Sequence, residues 1–182
     1  MTVKAKKRGR PSQLSSEGIL DCAKTLLRQE GKVPSVRAIS GALGVDPMAI
    51  YHYFGNKAAL LDALCRSLVA DIHQPDGGDW RIEIEALCRS YLGLLEAHPG
   101  LLGTLLGLTS TGPAQVFIER FEQALAPLAL PPITLAHCRD LLVDYLHGYA
   151  LAQEAAAGAL TQEALSGPLE FWMTAVAQAA KA

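Results

Sequence analysis

Half of the 182 residues are hydrophobic, and Ala and Leu outnumber the β-branched and aromatic residues, which favours helices over strands. The length is sufficient to bury a sizeable core, and no stretch approaches the roughly 20 apolar residues that would cross a membrane. The formal net charge of −2 is unevenly distributed along the chain. Residues 1–60 contain ten Lys/Arg and four Asp/Glu (+6), whereas residues 61–182 contain six Lys/Arg and fourteen Asp/Glu (−8). Only the first part is therefore expected to contact a polyanion.

Four helices are predicted in the first part of the chain. Ser15 or Ser16, Ser35 and Asp46 can each cap a helix, since their side-chain oxygens accept hydrogen bonds from free backbone amides. Gly31 ends the first helix and Gly44 lies in the turn after the second. The predicted helices cover about residues 16–29, 35–43, 47–54 and 57–73.

A Gly- and Asp-rich loop at residues 74–79 precedes a second group of helices. Proline and glycine pairs separate these helices, and Gly167-Pro168 is expected to kink or split the last one. The predicted helices cover about residues 80–97, 99–109, 113–127, 133–157 and 162–180. Because no strand-like alternation is present, the sequence predicts an all-α fold.

The four cysteines do not indicate a metal site or a disulfide framework. They are far apart, form no CxxC pair, and each lies in an apolar, helix-like stretch: Cys22, Cys65, Cys88 and Cys138. Buried free thiols in a reducing compartment fit this pattern best. The basic start is followed by polar residues, which does not predict a signal peptide, so we expect a cytoplasmic protein.

Two short helices joined by a tight turn at residues 35–54 are typical of a helix-turn-helix. Small residues at Ser40, Gly41 and Gly44 would let the helices approach each other. Apolar residues would fill their shared core: Ile39, Leu43, Val45 and Ile50. The same pattern is compatible with an ordinary helical hairpin inside an apolar core, so the pattern alone leaves two interpretations open.

The stretch SVRAISGALGVDPMAIYHYFGNKAALLDAL resembles the DNA-binding domain of the Tet repressor family of bacterial transcription regulators. The likeness covers about residues 15–66, and its most specific part is LGV, the aromatic residues Tyr51 and Phe54, and Asn56-Lys57 before a long helix. It implies an N-terminal three-helix helix-turn-helix domain and a C-terminal helical domain that binds a ligand and dimerises. It also implies a DNA-binding regulator, most often a repressor, with activation as a second possibility.

The resemblance implies a set of DNA contacts in the first domain. Arg37 would reach a base edge or the backbone, an exposed apolar turn would read a thymine methyl group or base shape, and polar groups would hold phosphates. The implied residues are Ser35, Arg37, Pro47, Met48, Ala49, Tyr51, His52 and Lys57. The alternatives are a surface ion pair for Arg37, a core position for Tyr51 and a solvated surface position for His52.

The segment Arg8-Gly9-Arg10-Pro11 resembles the core of an AT-hook. In such a motif, two arginines occupy a narrow A·T-rich minor groove, where the negative potential is concentrated. Because it precedes the helix-turn-helix, we expect residues 1–14 to form a flexible basic arm in which Arg8 and Arg10 contact DNA. A solvated tail or a generic polybasic address is the alternative.

The second domain is expected to bind an apolar or aromatic effector in a largely apolar pocket. Candidate lining residues are Tyr91, Leu95, His98, Phe117, Phe121, His147 and Trp172, although most apolar residues at helical spacing belong to a core. The region just after the fourth helix, where the Tet repressor itself has a histidine cluster, contains only His73, and His98 lies separately at the end of the next helix, so tetracycline–metal recognition is not expected. We predict no metal and no cofactor.

A homodimer is predicted because one short recognition helix contacts few base pairs, and a twofold dimer would read two halves of a palindromic operator. The helices at 133–157 and 162–180 combine small residues with Leu141, Leu142, Tyr145, Tyr149 and Phe171, which suits a four-helix interface. Packing against their own domain alone is the alternative.

The predicted domains are residues 1–14 (arm), 15–56 (helix-turn-helix), 57–73 (linking helix) and 74–182 (effector binding and dimerisation). Effector binding would move the linking helix and change the spacing of the two recognition helices. We therefore expect a nucleoid-associated, ligand-released repressor that binds double-stranded DNA. An architectural minor-groove binder is the alternative, and an all-α enzyme is disfavoured because no catalytic motif is present.

Overall fold

A computed structural model describes residues 14–156 and 160–181, and the regular elements in these ranges are all helical. The α-helices are α1 (Ser16–Glu30), α2 (Val36–Leu43), α3 (Pro47–Phe54), α4 (Lys57–Val69), α5 (Trp80–Ala97), α6 (Leu101–Leu106), α7 (Gly112–Leu125), α8 (Pro132–Ala155) and α9 (Ser166–Ala179). Short 3-10 helices occupy Ala126–Leu128 and Gln162–Leu165. The all-α prediction is confirmed.

The first three helices begin at the residues that the sequence indicates. The hydroxyl of Ser15 accepts a hydrogen bond from the amide of Gly18, and the hydroxyl of Ser35 accepts one from the amide of Ala38. The carboxylate of Asp46 accepts one from the amide of Met48. Each of these bonds satisfies an amide that has no partner inside its own helix, which fixes where the helix starts.

Helices α1, α2 and α3 pack into a small unit that we call the head. Its centre consists of fully buried apolar side chains: Ile19, Ala23, Leu27, Ile39 and Ile50. Gly44, at the end of α2, has the left-handed backbone conformation (φ 67°), which would be strained in a residue with a side chain. This conformation reverses the chain between α2 and α3. The head therefore has the helix-turn-helix arrangement that the sequence predicts.

Helix α4 joins the head to the remaining helices. It packs against α1 and α3 on one side and chiefly against α7 on the other. The buried residues Leu60, Leu64 and Leu68 lie one turn apart and fill these contacts. One helix thus shares an apolar interface with both parts of the molecule.

Helix α4 ends at Val69, four residues before the predicted end at His73. The backbone tightens there, because the amide of Ile72 bonds to the carbonyl of Val69 only three residues back. The guanidinium of Arg120, on α7, donates to the carbonyls of Val69 (3.4 Å), Ala70 (2.8 Å) and Ile72. A side chain 48 to 51 residues away satisfies these carbonyls, which local sequence signals cannot indicate.

Two later segments also differ from the predicted ranges. The segment predicted as 99–109 contains only the six-residue helix α6, which begins after Gly100 in a left-handed conformation (φ 77°). The segment predicted as 162–180 splits at Ser166, so Gly167-Pro168 lies in the first turn of α9, where proline costs no hydrogen bond. The predicted break at Gly158 lies outside the described residues.

All four cysteines are unpaired thiols, as predicted; Cys65 and Cys88 are buried, whereas Cys22 and Cys138 are half-buried. Burial raises the pKa of Cys65 to about 11, so its thiol is protonated at neutral pH. In the described ranges, no group of three or more His, Cys, Asp or Glu side chains is arranged to hold a metal ion. None of the described helices is both long and apolar enough to span a membrane.

The contact of Arg120 with α4 should be a large contribution to stability. Arg120→Met keeps most of the side-chain volume but leaves the carbonyls of Val69, Ala70 and Ile72 without their donor. We expect the free energy of unfolding to fall by about 3 kcal/mol, because hydrogen bonds to a charged group are worth about 1.5–3 kcal/mol each and the unpaired acceptors stay buried. Urea unfolding at fixed protein concentration measures this.

The matched control is Arg28→Met, because Arg28 is exposed on α1 and makes no ion pair with any described residue. Its effect should stay within about 0.5 kcal/mol. Equal losses in the two variants would contradict the assigned role of Arg120.

Candidate DNA-binding surface and effector cavity

The first turn of α3 is the most outward-facing apolar part of the head. Met48 is 63% exposed, and its neighbours Pro47 and Ala49 are half-buried. Ile50, the next residue, is fully buried and anchors the helix to the core. The turn therefore presents a small apolar surface on a fixed helix, in the position from which a recognition helix contacts base edges.

Two cations lie at the starts of neighbouring helices. Arg37 is exposed in the first turn of α2, and Lys57 is the exposed first residue of α4. Neither forms an ion pair with any residue in the described ranges. Ser35 is exposed but its hydroxyl already caps α2 (3.1 Å to the amide of Ala38), and Asn56 caps α4 in the same way.

The aromatic residues of α3 divide between core and surface. Tyr51 and Phe54 are half-buried and pack against the core, whereas His52 is exposed. Tyr53, which the sequence does not single out, donates a 2.6 Å hydrogen bond from its hydroxyl to the carbonyl of Leu14. No local signal indicates this bond, because its partner is a backbone atom 39 residues earlier.

Arg8 and Arg10 lie outside the described residues. Leu14 is the first described residue after them, and its bond to Tyr53 holds it against the end of α3. The chain therefore enters the described region directly beside the helix whose first turn faces outward.

A cavity of about 490 Å³ lies between α4 and α8. Its size is in the range of small-molecule sites, and its walls are mainly apolar. It is lined by Val69, Tyr91, Leu105, Leu106, Leu108, Ser110, Pro113, Ala114, Phe117, Ile118, Arg139, Asp140, Val143, Asp144 and His147.

One polar pair stands on the wall of this cavity. The hydroxyl of Tyr91 lies 2.9 Å from Nε2 of His147, and the Tyr91 ring packs against Phe117 with centroids 5.1 Å apart. Burial raises the pKa of Tyr91 and lowers the pKa of His147, an effect that the nearby Asp144 partly opposes. The pair is thus uncharged at neutral pH and offers hydrogen bonds to a ligand without a net charge.

The cavity contains three of the seven predicted ligand-binding residues: Tyr91, Phe117 and His147. Leu95 lines a second cavity of about 630 Å³ between the end of α5 and the end of α8. Phe121 lies one helical turn beyond Phe117 and packs in the core against Trp172. Apolar residues at the same helical spacing therefore lie in different environments, Phe117 in the cavity wall and Phe121 in the core.

Trp172 and His98 also lie away from both cavities. The indole nitrogen of Trp172 donates to the carbonyl of Cys138 (3.3 Å), which uses its polar atom inside the fold. His98 is buried after α5, and its Nδ1 has no hydrogen-bond partner among residues 14–156 and 160–181. Burial lowers the pKa of His98, and the nearby cations Arg28 and Lys24 lower it further.

The loop beside the cavity is attached to the linking helix α4. The hydroxyl of Ser110, which lines the cavity, donates to the carboxylate of Asp62 on α4. Asp62 also pairs with Arg66 (3.5 Å), whose guanidinium lies over Gly112 so closely that a Cβ there would displace it. We call the contacts of Ser110 and Gly112 with α4 the loop latch.

A second apolar surface runs along α8 and α9. Leu141 is 66% exposed and Phe171 is 79% exposed, and Tyr145 lies one turn after Leu141. Leu142 and Tyr149, which the sequence also predicts at an interface, are buried inside the chain instead. The reason is helical geometry, because residue 142 points about 100° away from residue 141.

The described fold combines a helix-turn-helix head with a helical domain that encloses a cavity. The family model described as "Bacterial regulatory proteins, tetR family" matches residues 19–64. The model described as "Tetracyclin repressor-like, C-terminal domain" matches residues 73–177, more than half of the chain. The chain belongs to the tetR family, which confirms the resemblance found in its sequence.

One curated relative and many solved structures are similar to the chain. The HTH-type transcriptional repressor DrrR1 of Streptomyces coeruleorubidus is 27% identical over 175 residues, which are 93% of this chain and 64% of that protein. The chain therefore spans less than two thirds of this relative.

Among solved structures, the Streptomyces coelicolor TetR family protein ActR in complex with (S)-DNPA matches with a TM-score of 0.76 at 22% identity, covering 93% of this chain and 100% of that chain. BioQ with its double-stranded DNA operator matches with a TM-score of 0.73 at 19% identity, covering 91% and 99%. At these identities, the likeness establishes the fold.

The loop latch should hold the loop and α4 together without any ligand. Ser110→Ala removes the hydroxyl that bonds to Asp62, at a cost of about 1 kcal/mol of local stability. We expect amide hydrogen exchange to become about fivefold faster in residues 107–112 and in the middle of α4 together.

Thr109→Ala is the matched control, because Thr109 is an exposed neighbouring hydroxyl with no side-chain hydrogen bond in the described ranges. It should leave exchange in α4 unchanged. Faster exchange confined to the loop in Ser110→Ala would show that the two segments are not coupled.

Proposed function

We propose that the protein is a sequence-specific DNA-binding transcriptional regulator, most simply a repressor that an effector releases from DNA. The outward-facing first turn of α3, with Arg37 and Lys57 on the flanking helices, is the observation that carries this proposal. Met48 and its neighbours Pro47 and Ala49 would contact base edges. Arg37 would contact a base edge or the DNA backbone, as the resemblance implies.

Positioning on the DNA backbone falls to polar groups around this turn. Lys57 and His52 are exposed cationic or hydrogen-bonding groups suited to phosphate, and the Tyr51 hydroxyl would extend from a half-buried ring. The hydroxyl of Ser35 caps α2, so its contribution would come from the backbone amides at that helix start. The similarity to DrrR1, which is a transcriptional repressor, and to BioQ, which was solved with its operator, supports DNA as the partner.

We propose that the protein acts as a homodimer on a palindromic operator. The exposed apolar surface of Leu141, Tyr145 and Phe171 supports this, since large apolar side chains at such exposure mark an interaction surface. Small residues nearby, Gly148 on α8 and Ala175 on α9, would let helices of two copies approach closely. Two copies would place two α3 helices on successive major grooves.

The cavity between α4 and α8 is the proposed effector site. An apolar or aromatic ligand would contact Tyr91, Phe117 and His147 there, and the similarity to a ligand complex of ActR supports a small-molecule role. Val69 of α4 lines the same cavity, so a ligand would touch the helix that carries the head. A ligand that binds more tightly to the α4 position of the DNA-free protein must lower the affinity for DNA, and DNA must lower the affinity for the ligand by the same factor.

The proposed organisation follows the predicted ranges: a basic arm at 1–14, a DNA-reading unit at 15–56, a linking segment at 57–73 and an effector and dimerisation unit at 74–182. We propose cytoplasmic, nucleoid-associated activity and no enzymatic role, since the family consists of regulatory proteins. An architectural minor-groove binder is the competing function, and it would bind DNA without sequence selection.

Selective DNA binding is the central test. DNA enriched from a random pool on the protein should contain a palindrome and bind about 10³-fold or more tightly than a scrambled duplex of equal composition at the same salt concentration. Light scattering should give two chains per palindrome or a multiple of two. Lys57→Ala should weaken binding to both duplexes by a similar factor. It should also reduce the slope of log affinity against log salt concentration by about one, because a phosphate contact releases about one counterion.

Two controls accompany this measurement. Lys181→Ala removes an exposed cation after α9 and should leave both affinities unchanged. Met48→Ala should lower the affinity for the enriched duplex and leave the affinity for the scrambled duplex unchanged, so the ratio of the two affinities should fall. Equal affinity for the two duplexes in the unaltered protein would refute the proposal in favour of an architectural binder.

We propose that Arg8 and Arg10 enter the minor groove next to the half-site read by α3. The bond between Tyr53 and Leu14 supports this, because it holds the start of the described chain beside α3. The double variant Arg8→Ala/Arg10→Ala should weaken operator binding and lower the salt slope by about two. The loss should be larger for operators with A·T flanks than for operators with G·C flanks.

Lys4→Ala/Lys6→Ala is the matched control for the arm, since it removes two charges from the same segment outside Arg-Gly-Arg-Pro. It should show no dependence on the flanking base pairs. An unchanged salt slope in the arginine variant would identify the segment as a tail that does not contact DNA.

A further inference from the structure

The charged groups of the cavity all come from one stretch of α8. Arg139, Asp140 and Asp144 line the cavity, and the other lining residues are apolar or uncharged at neutral pH. Nε of Arg139 lies 2.9 Å and Nη2 lies 2.8 Å from the same Asp140 oxygen, so these two charges neutralise each other. One guanidinium and two carboxylates leave one net negative charge.

That charge belongs to Asp144. Its carboxylate has no ion pair or hydrogen bond with any residue in the described ranges, although it lines an apolar cavity. His147 follows one turn later but does not neutralise it, because burial lowers the pKa of His147 and its Nε2 is engaged with Tyr91. The cavity therefore has an apolar wall, a neutral polar pair and one unpaired carboxylate.

We propose that the effector is an apolar monocation, such as an aromatic or alicyclic amine, whose ammonium group pairs with Asp144. Its apolar body would lie against Phe117, Ile118 and Val143, and a hydroxyl or carbonyl group would bond to the Tyr91–His147 pair. This inference rests on the proposed effector role of the cavity and adds the charge of the ligand.

The geometry favours a cation over an anion or a neutral ligand. Asp144 is exposed at the cavity edge, so an ammonium group could pair with it while keeping part of its hydration. A carboxylate ligand would face the same net negative charge, and it could recruit Arg139 only by breaking the pair with Asp140. A neutral ligand would gain the apolar contacts but nothing from Asp144.

Three fluorescent probes with one common dansyl body test the charge preference. Dansylcadaverine carries an ammonium group, N-propyl dansylamide is neutral, and dansylglycine carries a carboxylate. We expect dissociation constants about tenfold lower for the cationic probe than for the neutral one, and weaker binding still for the anion. Asp144→Asn, which keeps the side-chain shape but removes the charge, should remove the cationic advantage and leave the dissociation constant of the neutral probe unchanged.

Two further variants make the result specific. Glu122→Gln removes one charge from the exposed face of α7, outside the cavity, and should preserve the cationic advantage. Ala114→Phe adds a ring to the cavity lining and should weaken the binding of the cationic and the neutral probe by a similar factor. Far-ultraviolet circular dichroism and an unchanged melting temperature establish that each variant is folded.

The proposal is overturned if the cationic and neutral probes bind equally, if Asp144→Asn weakens both alike, if Glu122→Gln has the same effect as Asp144→Asn, or if no probe binds. These measurements use protein without DNA, so they are separate from the operator test. Loss of charge selectivity with intact operator binding would refute only the cationic effector, whereas the absence of operator binding would refute the regulator itself.

Discussion

The arrangement of the molecule depends on how the end of α4 is held. The last carbonyls of a helix have no partner within it and carry partial negative charge, so they need donors from elsewhere. Arg120 supplies them from α7 and is buried without a carboxylate partner in the described ranges. Because Phe117 and Ile118 on the same helix line the cavity, α7 joins one wall of the cavity to the end of α4.

The head holds the same end of α4 from the opposite side. Nζ of Lys24, on α1, donates to the carbonyl of Ser67 (3.1 Å) and pairs with Asp71 (3.2 Å). Residues 67–72 are therefore connected to α1 of the head and to α7 of the cavity domain, and the loop latch adds a third contact near the middle of α4. A change in the cavity that displaces α7 or the loop must either move α4 or break these polar contacts. On the proposed function, this is the physical path from effector to DNA.

Local signals in the sequence were sufficient for most helix boundaries but not for the contacts between helices. Ser15, Ser35 and Asp46 cap the helices that they were expected to cap, because capping involves residues only two or three positions apart. The early end of α4 and the bond from Tyr53 to Leu14 depend on partners dozens of residues away. For the candidate site, apolar spacing could not separate Phe117 in the cavity from Phe121 in the core.

Helix α8 combines two surfaces whose separation follows from helical periodicity. Asp140, Val143, Asp144 and His147 recur at intervals of three and one residues and line the cavity. Leu141, Tyr145 and Gly148 recur at intervals of four and three, and they face outward about 100° away. On the proposed function, a ligand paired with Asp144 would act on the same helix that carries the outward surface. A shift of α8 on ligand binding would change the angle between two copies, which would couple ligand binding to the spacing of the two heads through α8 as well as through α4.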